Sequence, residues 1–202
     1  MPDASPPQTP RDRLLALPDD RQAKLLDPAE NEFANHGFAE ASLNRILKQA
    51  GMSKGQAYYY VTDKTDLYDA VLNRAFQKLI KASNFTFGLP ENPDAFWAQV
   101  GALFGQVGMV LMQDAQMASL AIRIYENDAT RAVAQKLPIR RGFEDCIAQG
   151  QSIGAIRTDI PNDLLVDILF AMALETDRWF DANWTTLQPP EFLALNARII
   201  SM

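Results

Sequence analysis

The strongest constraint on this chain lies between residues 42 and 61, which read SLNRILKQAGMSKGQAYYYV. Ser42 can cap a helix over 43–50, since its hydroxyl can accept from a first-turn N–H. Leu43, Ile46, Leu47 and Ala50 fall at i, i+3, i+4 and i+7 and form one apolar face, with Asn44 and Lys48 pointing away. Gly51 stands just past the last turn, where a left-handed residue commonly ends a helix. Ser53 then opens a second helix, and Gln56, three positions on, completes a capping box. Only Gly51-Met52-Ser53 separate the two. Short helices joined by three or four residues containing glycine make a helix-turn-helix.

The run Tyr58-Tyr59-Tyr60 raises a packing question. Successive helical residues point about 100° apart, so three in a row cannot share one buried face. The periodicity puts Ala57, Tyr60 and Val61 inward. It leaves Lys54, Gly55, Gln56, Tyr58 and Tyr59 outside or on the flank. Glycine inside a helix costs about 1 kcal/mol relative to alanine, so Gly55 suggests close approach by something large, such as the DNA major groove. A following helix starts at Thr62-Asp63 with Lys64 in its first turn, and helix N–H groups beside a lysine suit a phosphate.

Charge agrees with this placement. The chain carries a net charge of −6, but residues 40–81 hold 7 basic and 4 acidic groups, whereas residues 82–202 hold 8 basic and 14 acidic. The local balance sets an electrostatic footprint more than the total does. Other chemistries are poorly served. One histidine, His36 in the polar turn ANHGF, and one cysteine, Cys146, are too few for a zinc site or an internal disulfide. No glycine-rich phosphate loop is present, and Glu144 and Asp145 diverge on a helix. No catalytic set, cofactor or metal is expected. The N-terminal residues MPDASPPQTPRDR lack the apolar stretch of a secretory signal. No apolar run reaches the ~18 residues of a membrane span, the longest being broken at Gln106, so no membrane partner is expected.

The rest of the chain reads as helix, with prolines where helices start or stop. Residues 1–17, rich in Pro, Asp, Ser and Gln, are expected to be a disordered tail. Asp27-Pro28-Ala29-Glu30 is a good helix start, so 18–35 is either two helices or one kinked helix. Phe33 and Phe38 flank Gly37 and should pack inward. Further helices are expected over 93–112, 114–126, 129–151, 161–184 and 190–200.

The segments FANHGF, ASLNRILKQAG, MSKGQAYYYVTDK and TDLYDAVLNRAF resemble, in that order and without gaps, the DNA-binding domain of the TetR family of bacterial transcriptional regulators. The resemblance covers about residues 22–80. Departures are Pro28, Gln56 where threonine is usual, Ala57 for leucine and Tyr59 for histidine. Gln56 and Tyr59 face outward, so they bear on the DNA sequence read. The resemblance implies an all-α chain with a three-helix DNA-binding domain over 18–81, its helix-turn-helix at 42–61, and a helical ligand-binding and dimerisation domain over 82–202. It implies that Ser42, Lys54, Tyr58, Tyr60 and Lys64 bind or position phosphates, and that Asn44, Gly55, Gln56 and Tyr59 stand nearest base edges. It further implies a cytoplasmic homodimer, joined through its last two helices. Such a dimer would sit on palindromic double-stranded DNA, repress transcription, and leave when a small apolar or amphipathic effector binds. The alternatives are a helical small-molecule carrier and a protein-interaction regulator that does not bind DNA.

An effector pocket is expected among Trp97, Phe104, Met109, Met112, Met117, Tyr125, Phe143, Phe170 and Trp179, since aromatic and methionine side chains suit an adaptable apolar ligand. Taken singly, each of these residues suits ordinary core better. Arg123 and Arg178 suit surface ion pairs better than anion binding.

Overall fold

The structure is a computed structural model that describes residues 8–84, 86–124, 126–134 and 136–183, together with 191, 194, 195 and 198. Among the described residues there are ten helices and no strand, as an all-α reading requires. They form two compact units: Met1–Leu72 with Arg123–Ala134, and Asn73–Ile122 with Gln135–Met202.

In the first unit, α2 (Asp19–Glu40) runs straight through Pro28 with no helical break there. Asp27 therefore does not start a new helix. A proline interior to a helix loses one hydrogen bond, and the burial of Leu25, Leu26, Ala29 and Phe33 around it offsets that loss. The break comes later, at Gly37, whose φ of 69° and ψ of 172° lie in a region essentially reserved for glycine. There the chain turns, so that Phe33 and Phe38 stack with centroids 6.2 Å apart and both meet the buried ring of Tyr68, at 4.9 and 5.2 Å. Tyr68 lies on α5 (Lys64–Ser83). Arg123 closes the break from the side: its Nε donates to the Ala34 carbonyl at 2.9 Å while its guanidinium pairs with Glu126.

One expectation needs correction. Within the segment expected to be a disordered tail, Pro10–Leu15 is a helix, α1. Thr9 and Asp12 form a reciprocal capping box, Leu14 is buried, and Arg11 reaches the Asp66 carbonyl at 3.2 Å and the Asp69 carboxylate at 2.7 Å. Composition suggested a tail because one leucine and two arginines carry the attachment, a signal too sparse for periodicity.

In the second unit, α6 (Pro93–Gln113) and α7 (Ala115–Arg123, whose last residue belongs to the first unit) follow the expected spans. The expected helix over 129–151 is instead two: α8 (Asp128–Ala134), in the first unit, and α9 (Pro138–Ser152). Pro138 opens α9 because proline is tolerated at a first helical position and not in the interior. The antiparallel partner of α9 is α10 (Asn162–Asn183): the Phe143 and Phe170 rings meet edge to face at 5.6 Å, and Arg140 pairs with Asp167 at 2.7 Å. Gly150 lets α9 come close to Phe96 and Ile156, since a Cβ there would lie 2.7–2.8 Å from both. By length and composition α6 is apolar enough to cross a membrane, although Gln106 interrupts the run, and only 11% of its most apolar window is buried. The helix expected over 190–200 lies almost wholly outside the described residues.

Candidate nucleic-acid interface

The helix-turn-helix forms where its caps place it. In α3 (Leu43–Ala50) Ser42 accepts from the Arg45 N–H, and Gly51 ends the helix at φ 63°. The Met52 N–H then donates back to the Leu47 carbonyl at 3.0 Å, a Schellman closure. Ile46 and Leu47 are buried. The start of α3 is tied to α2 by Glu32, a buried carboxylate that accepts from the Ser42 N–H at 2.7 Å and from Arg45 Nε at 2.8 Å. Burial would raise the Glu32 pKa, but the Arg45 and Ser42 hydrogen bonds and the nearby positive charge outweigh it and hold the carboxyl below its ordinary value.

The second helix, α4 (Lys54–Tyr58), is only five residues long. Both halves of its capping box are made: the Gln56 N–H donates to Ser53 Oγ at 3.3 Å, and the Ser53 N–H to Gln56 Oε1 at 2.8 Å. The tyrosines sort as the periodicity requires. Ala57 and Val61 are buried, Tyr60 is half-buried, and Tyr58 and Tyr59 are 47% and 55% exposed. Lys54, Gly55 and Gln56 complete the outward face, with Asn44 and Lys48 of α3 also exposed. Met52, Gly55, Gln56, Tyr59 and Tyr60 line an open groove of about 400 Å³. A Cβ built on Gly55 would meet no protein atom within 4 Å. Nothing in the chain's own packing therefore calls for glycine at that position.

Lys64 has a structural duty as well. Its Nζ donates to the Ala39 and Ala41 carbonyls, both at 3.2 Å, and lies 4.8 Å from the Phe38 ring centroid. It thereby fixes the turn from α2 into α3. The α5 N-terminus beside it is partly filled by the protein itself, because Asp66 accepts from the Thr62 N–H and Asp63 from the Asp66 N–H, each at 2.8 Å.

One contributor was missed in the sequence. Arg13 of α1 donates to the Tyr59 carbonyl at 3.1 Å and stands 4.5 Å from the centroid of the Tyr59 ring. Arginines at 11 and 13 two positions apart were the available signal, masked by the surrounding Pro, Asp and Gln.

Among the described residues, those expected to line an effector pocket are spread over α6, α7, α9 and α10. Phe143 and Phe170 touch, and Met117 is buried. Phe104, Met109 and Met112 on α6 are half-buried. Trp97 and Trp179 are exposed at 38% and 47%. Tyr125 lies outside the described residues. Arg123 and Arg178 pair with Glu126 and Glu175, as ordinary surface ion pairs do. Cys146 has its thiol pushed up to about 11 by burial, which keeps it protonated and unreactive at neutral pH.

An all-α chain with a capped helix-turn-helix and an exposed, hydrogen-bonding second helix defines a DNA-binding regulator. Residues 25–71 match the family described as bacterial regulatory proteins, tetR family. The chain is 25% identical to the transcriptional repressor SCO4008 of Streptomyces coelicolor over 85% of its own length and 81% of that protein. It is 37% identical to the transcriptional regulator EthR of Mycolicibacterium smegmatis over 43% and 39%. Its fold matches that of a tetR family transcription regulator from Shewanella sp. PV-4 with a TM-score of 0.71 at 16% identity, covering 89% of this chain and 95% of that one. FadR of Bacillus subtilis, solved with stearoyl-CoA, matches with a TM-score of 0.65 at 15% identity, covering 89% and 96%. Residues 25–71 thus match the DNA-binding segment of the TetR family, and over most of its length the chain is similar to helix-turn-helix transcriptional regulators.

Proposed function

We propose that the protein is a cytoplasmic homodimeric repressor that sits on a palindromic operator and leaves it when a small apolar or amphipathic effector binds the second unit. The observation that carries the DNA half of this reading is the outward face of α4. Lys54, Gln56, Tyr58 and Tyr59 are exposed beside a glycine whose missing side chain serves no internal contact. Lys54, Tyr58 and Tyr60 are then the phosphate-facing side chains, aided by Ser42 at the start of α3. Asn44, Gly55, Gln56 and Tyr59 face the bases. A glutamine can pair with adenine in two places, and although Gln56 Oε1 already accepts from Ser53, a carbonyl oxygen has a second lone pair and the amide keeps its N–H donors. Lys64 acts mainly by holding the α2–α3 turn, with one ammonium N–H left for a phosphate.

Dimerisation is supported by α10. Leu164, Ile168, Met172 and Trp179 all lie exposed on it, 42–49% accessible, and the first three repeat every fourth residue as one stripe. Two recognition helices held about 34–36 Å apart would read successive major grooves. An effector that favours another spacing would lower operator affinity by its differential binding to the two arrangements. The half-buried Phe104, Met109 and Met112 of α6 offer apolar surface to such a ligand.

The test is fluorescence anisotropy of the purified protein against tiled fragments of its own gene neighbourhood and a genomic selection pool, at two salt concentrations. Tight, salt-dependent binding to a palindrome is expected. Tyr58→Ala should weaken all sequences alike, whereas Gln56→Ala should change base preference by about 1–3 kcal/mol. Wild-type-like binding by both variants would refute the site assignment, and no enrichment of any sequence would refute the operator reading.

A further inference from the structure

We propose that Arg13, on the N-terminal helix ahead of the helix-turn-helix, is a positioning residue for base recognition: it holds Tyr59 in the orientation in which the ring meets DNA. The inference rests on the DNA-binding face described above and names a residue outside it.

A five-residue helix cannot hold its own geometry. Nucleating a turn is unfavourable, and isolated helices below about 12 residues are marginal in water. The start of α4 is fixed by the Ser53–Gln56 box. Its end carries carbonyls with no partner inside the helix, and Tyr59 is the residue at that end. Arg13 Nη1 donates to the Tyr59 carbonyl at 3.1 Å, and its Nη2 donates to the Gln8 carbonyl at 2.9 Å. The guanidinium carbon stands 4.5 Å from the centroid of the Tyr59 ring, within cation–π range. On another side that ring meets Tyr60 edge to face at 5.1 Å. One cation therefore grips both the main chain and the ring of an exposed residue in the groove-lining set.

The grip is itself anchored. Leu14, next to Arg13, is buried, and Arg11 is tied to Asp66 and Asp69 on α5. The Thr9–Asp12 box fixes the first turn of α1. So α1 is a brace that runs from α5 to the far end of the recognition helix. A planar guanidinium suits this double duty, because it can donate in its plane and lie over a ring with its face. An ammonium is a compact point charge on a flexible stem and fixes the geometry of such a double contact less tightly.

The test uses the full-length protein and sequences selected from a randomised duplex library. Wild type, Arg13→Ala, Arg13→Lys, Tyr59→Ala and the Arg13→Ala/Tyr59→Ala pair are compared by base-preference profile, affinity and salt slope. Arg13→Ala is expected to weaken the preferred site about tenfold and to flatten the same base positions that Tyr59→Ala flattens. The double variant should lose little more than either single one, and Arg13→Lys should recover part of the preference. Should the alanine variant fold poorly, the lysine variant, which keeps the cation and the length, carries the comparison alone. Loss of affinity that is equal on all sequences, with a salt slope lower by about one, would make Arg13 a phosphate contact and overturn the proposal. Additive losses in the double variant would overturn it too. If wild type selects a sequence and the Arg13 variants select it unchanged, only this inference fails; if wild type selects none, the DNA-binding reading fails and this role fails with it.

Discussion

The recognition segment 42–61 and helix α6 differ in what each leaves unused by its own fold. In the former the hydrogen-bonding ends are closed by Ser42, Gly51, Ser53 and Gln56, and the buried set is small: Ile46, Leu47, Ala57 and Val61. What remains outside is polar and aromatic, with no packing reason for Gly55. In α6 the surplus is of the opposite kind. The helix is apolar along most of its length, and only 11% of its most apolar window is buried. A polar surplus fits a hydrated, charged partner, and an apolar one fits a partner that removes it from water. The division proposed above gives reading to the one region and sensing or assembly to the other.

The most forceful way to break this division is to attack assembly without touching the reading face. Ile168→Asp, in the exposed stripe of α10, places a charge where the proposed interface would bury it. Sedimentation should show monomers at concentrations where wild type is paired. Operator affinity should fall by about 10²–10⁴-fold, since a linked second half-site contributes in that range. A dimer that survives the change would move the interface elsewhere. A monomer that binds as tightly as wild type would show that one recognition helix suffices.

Two changes within the first unit sharpen the comparison, because they affect stability through residues that never reach the reading face. At Gly37 the backbone conformation is one that side-chain-bearing residues avoid, and a Cβ would lie 2.5 Å from a Glu126 carboxylate oxygen. Gly37→Ala should cost about 2–3 kcal/mol in urea unfolding, with base preference unchanged in the folded fraction. Glu32 acts through charge. Its folded pKa lies below the ordinary value of 4.5, so ionised Glu32 contributes stability above pH 4.5 that is lost as pH falls through the folded pKa. Glu32→Gln keeps the shape and removes that dependence. It should be less stable than wild type by about 1–2 kcal/mol at pH 7, the lower part of the range for a charged hydrogen bond because Arg45 is half-exposed. The difference should shrink below pH 4.5. A constant difference down to pH 3 would show that Glu32 matters by shape alone.

These examples also show why some of the fold could be read from sequence and some could not. Caps and turns are local: Ser42, Gly51, Ser53 and Gln56 form their bonds within three or four residues, so α3 and the start of α4 were legible to the residue. The inward set at 57, 60 and 61 followed from helical periodicity. What failed was nonlocal or sparse. Pro28 looks like a helix start on propensity, yet tertiary burial around Leu25, Ala29 and Phe33 carries α2 through it. Residues 10–15 look like a tail because their attachment depends on partners 46–58 positions away, Tyr59, Asp66 and Asp69. The place of Lys64 in a first turn points to a phosphate, whereas the carbonyls of Ala39 and Ala41 that hold it lie 23–25 positions away and are set by how α2 and α5 pack. For an effector pocket, aromatic and methionine residues on several helices look alike whether they line a cavity or fill a core.

Gly55 offers the smallest effect and the clearest separation of the two kinds of surplus. Its Cβ position is open, and its φ is not among the positive values that demand glycine. Alanine should therefore fit without strain. It should also stabilise the helix, by about 1 kcal/mol, through lower backbone entropy in the unfolded chain and better helix propensity. A residue retained purely for folding would give no reason to keep glycine there. If instead the backbone of α4 must approach a base edge or phosphate closely, the added methyl collides with DNA. Gly55→Ala should then unfold at higher urea than wild type and bind the operator about tenfold more weakly, a difference of about 1.4 kcal/mol in the opposite direction. Opposite signs in two measurements on one variant cannot come from damage to the fold. Higher stability with unchanged binding would leave the outward face without a demand for close approach, and the groove beside Gln56 and Tyr59 would have to read DNA at a greater distance.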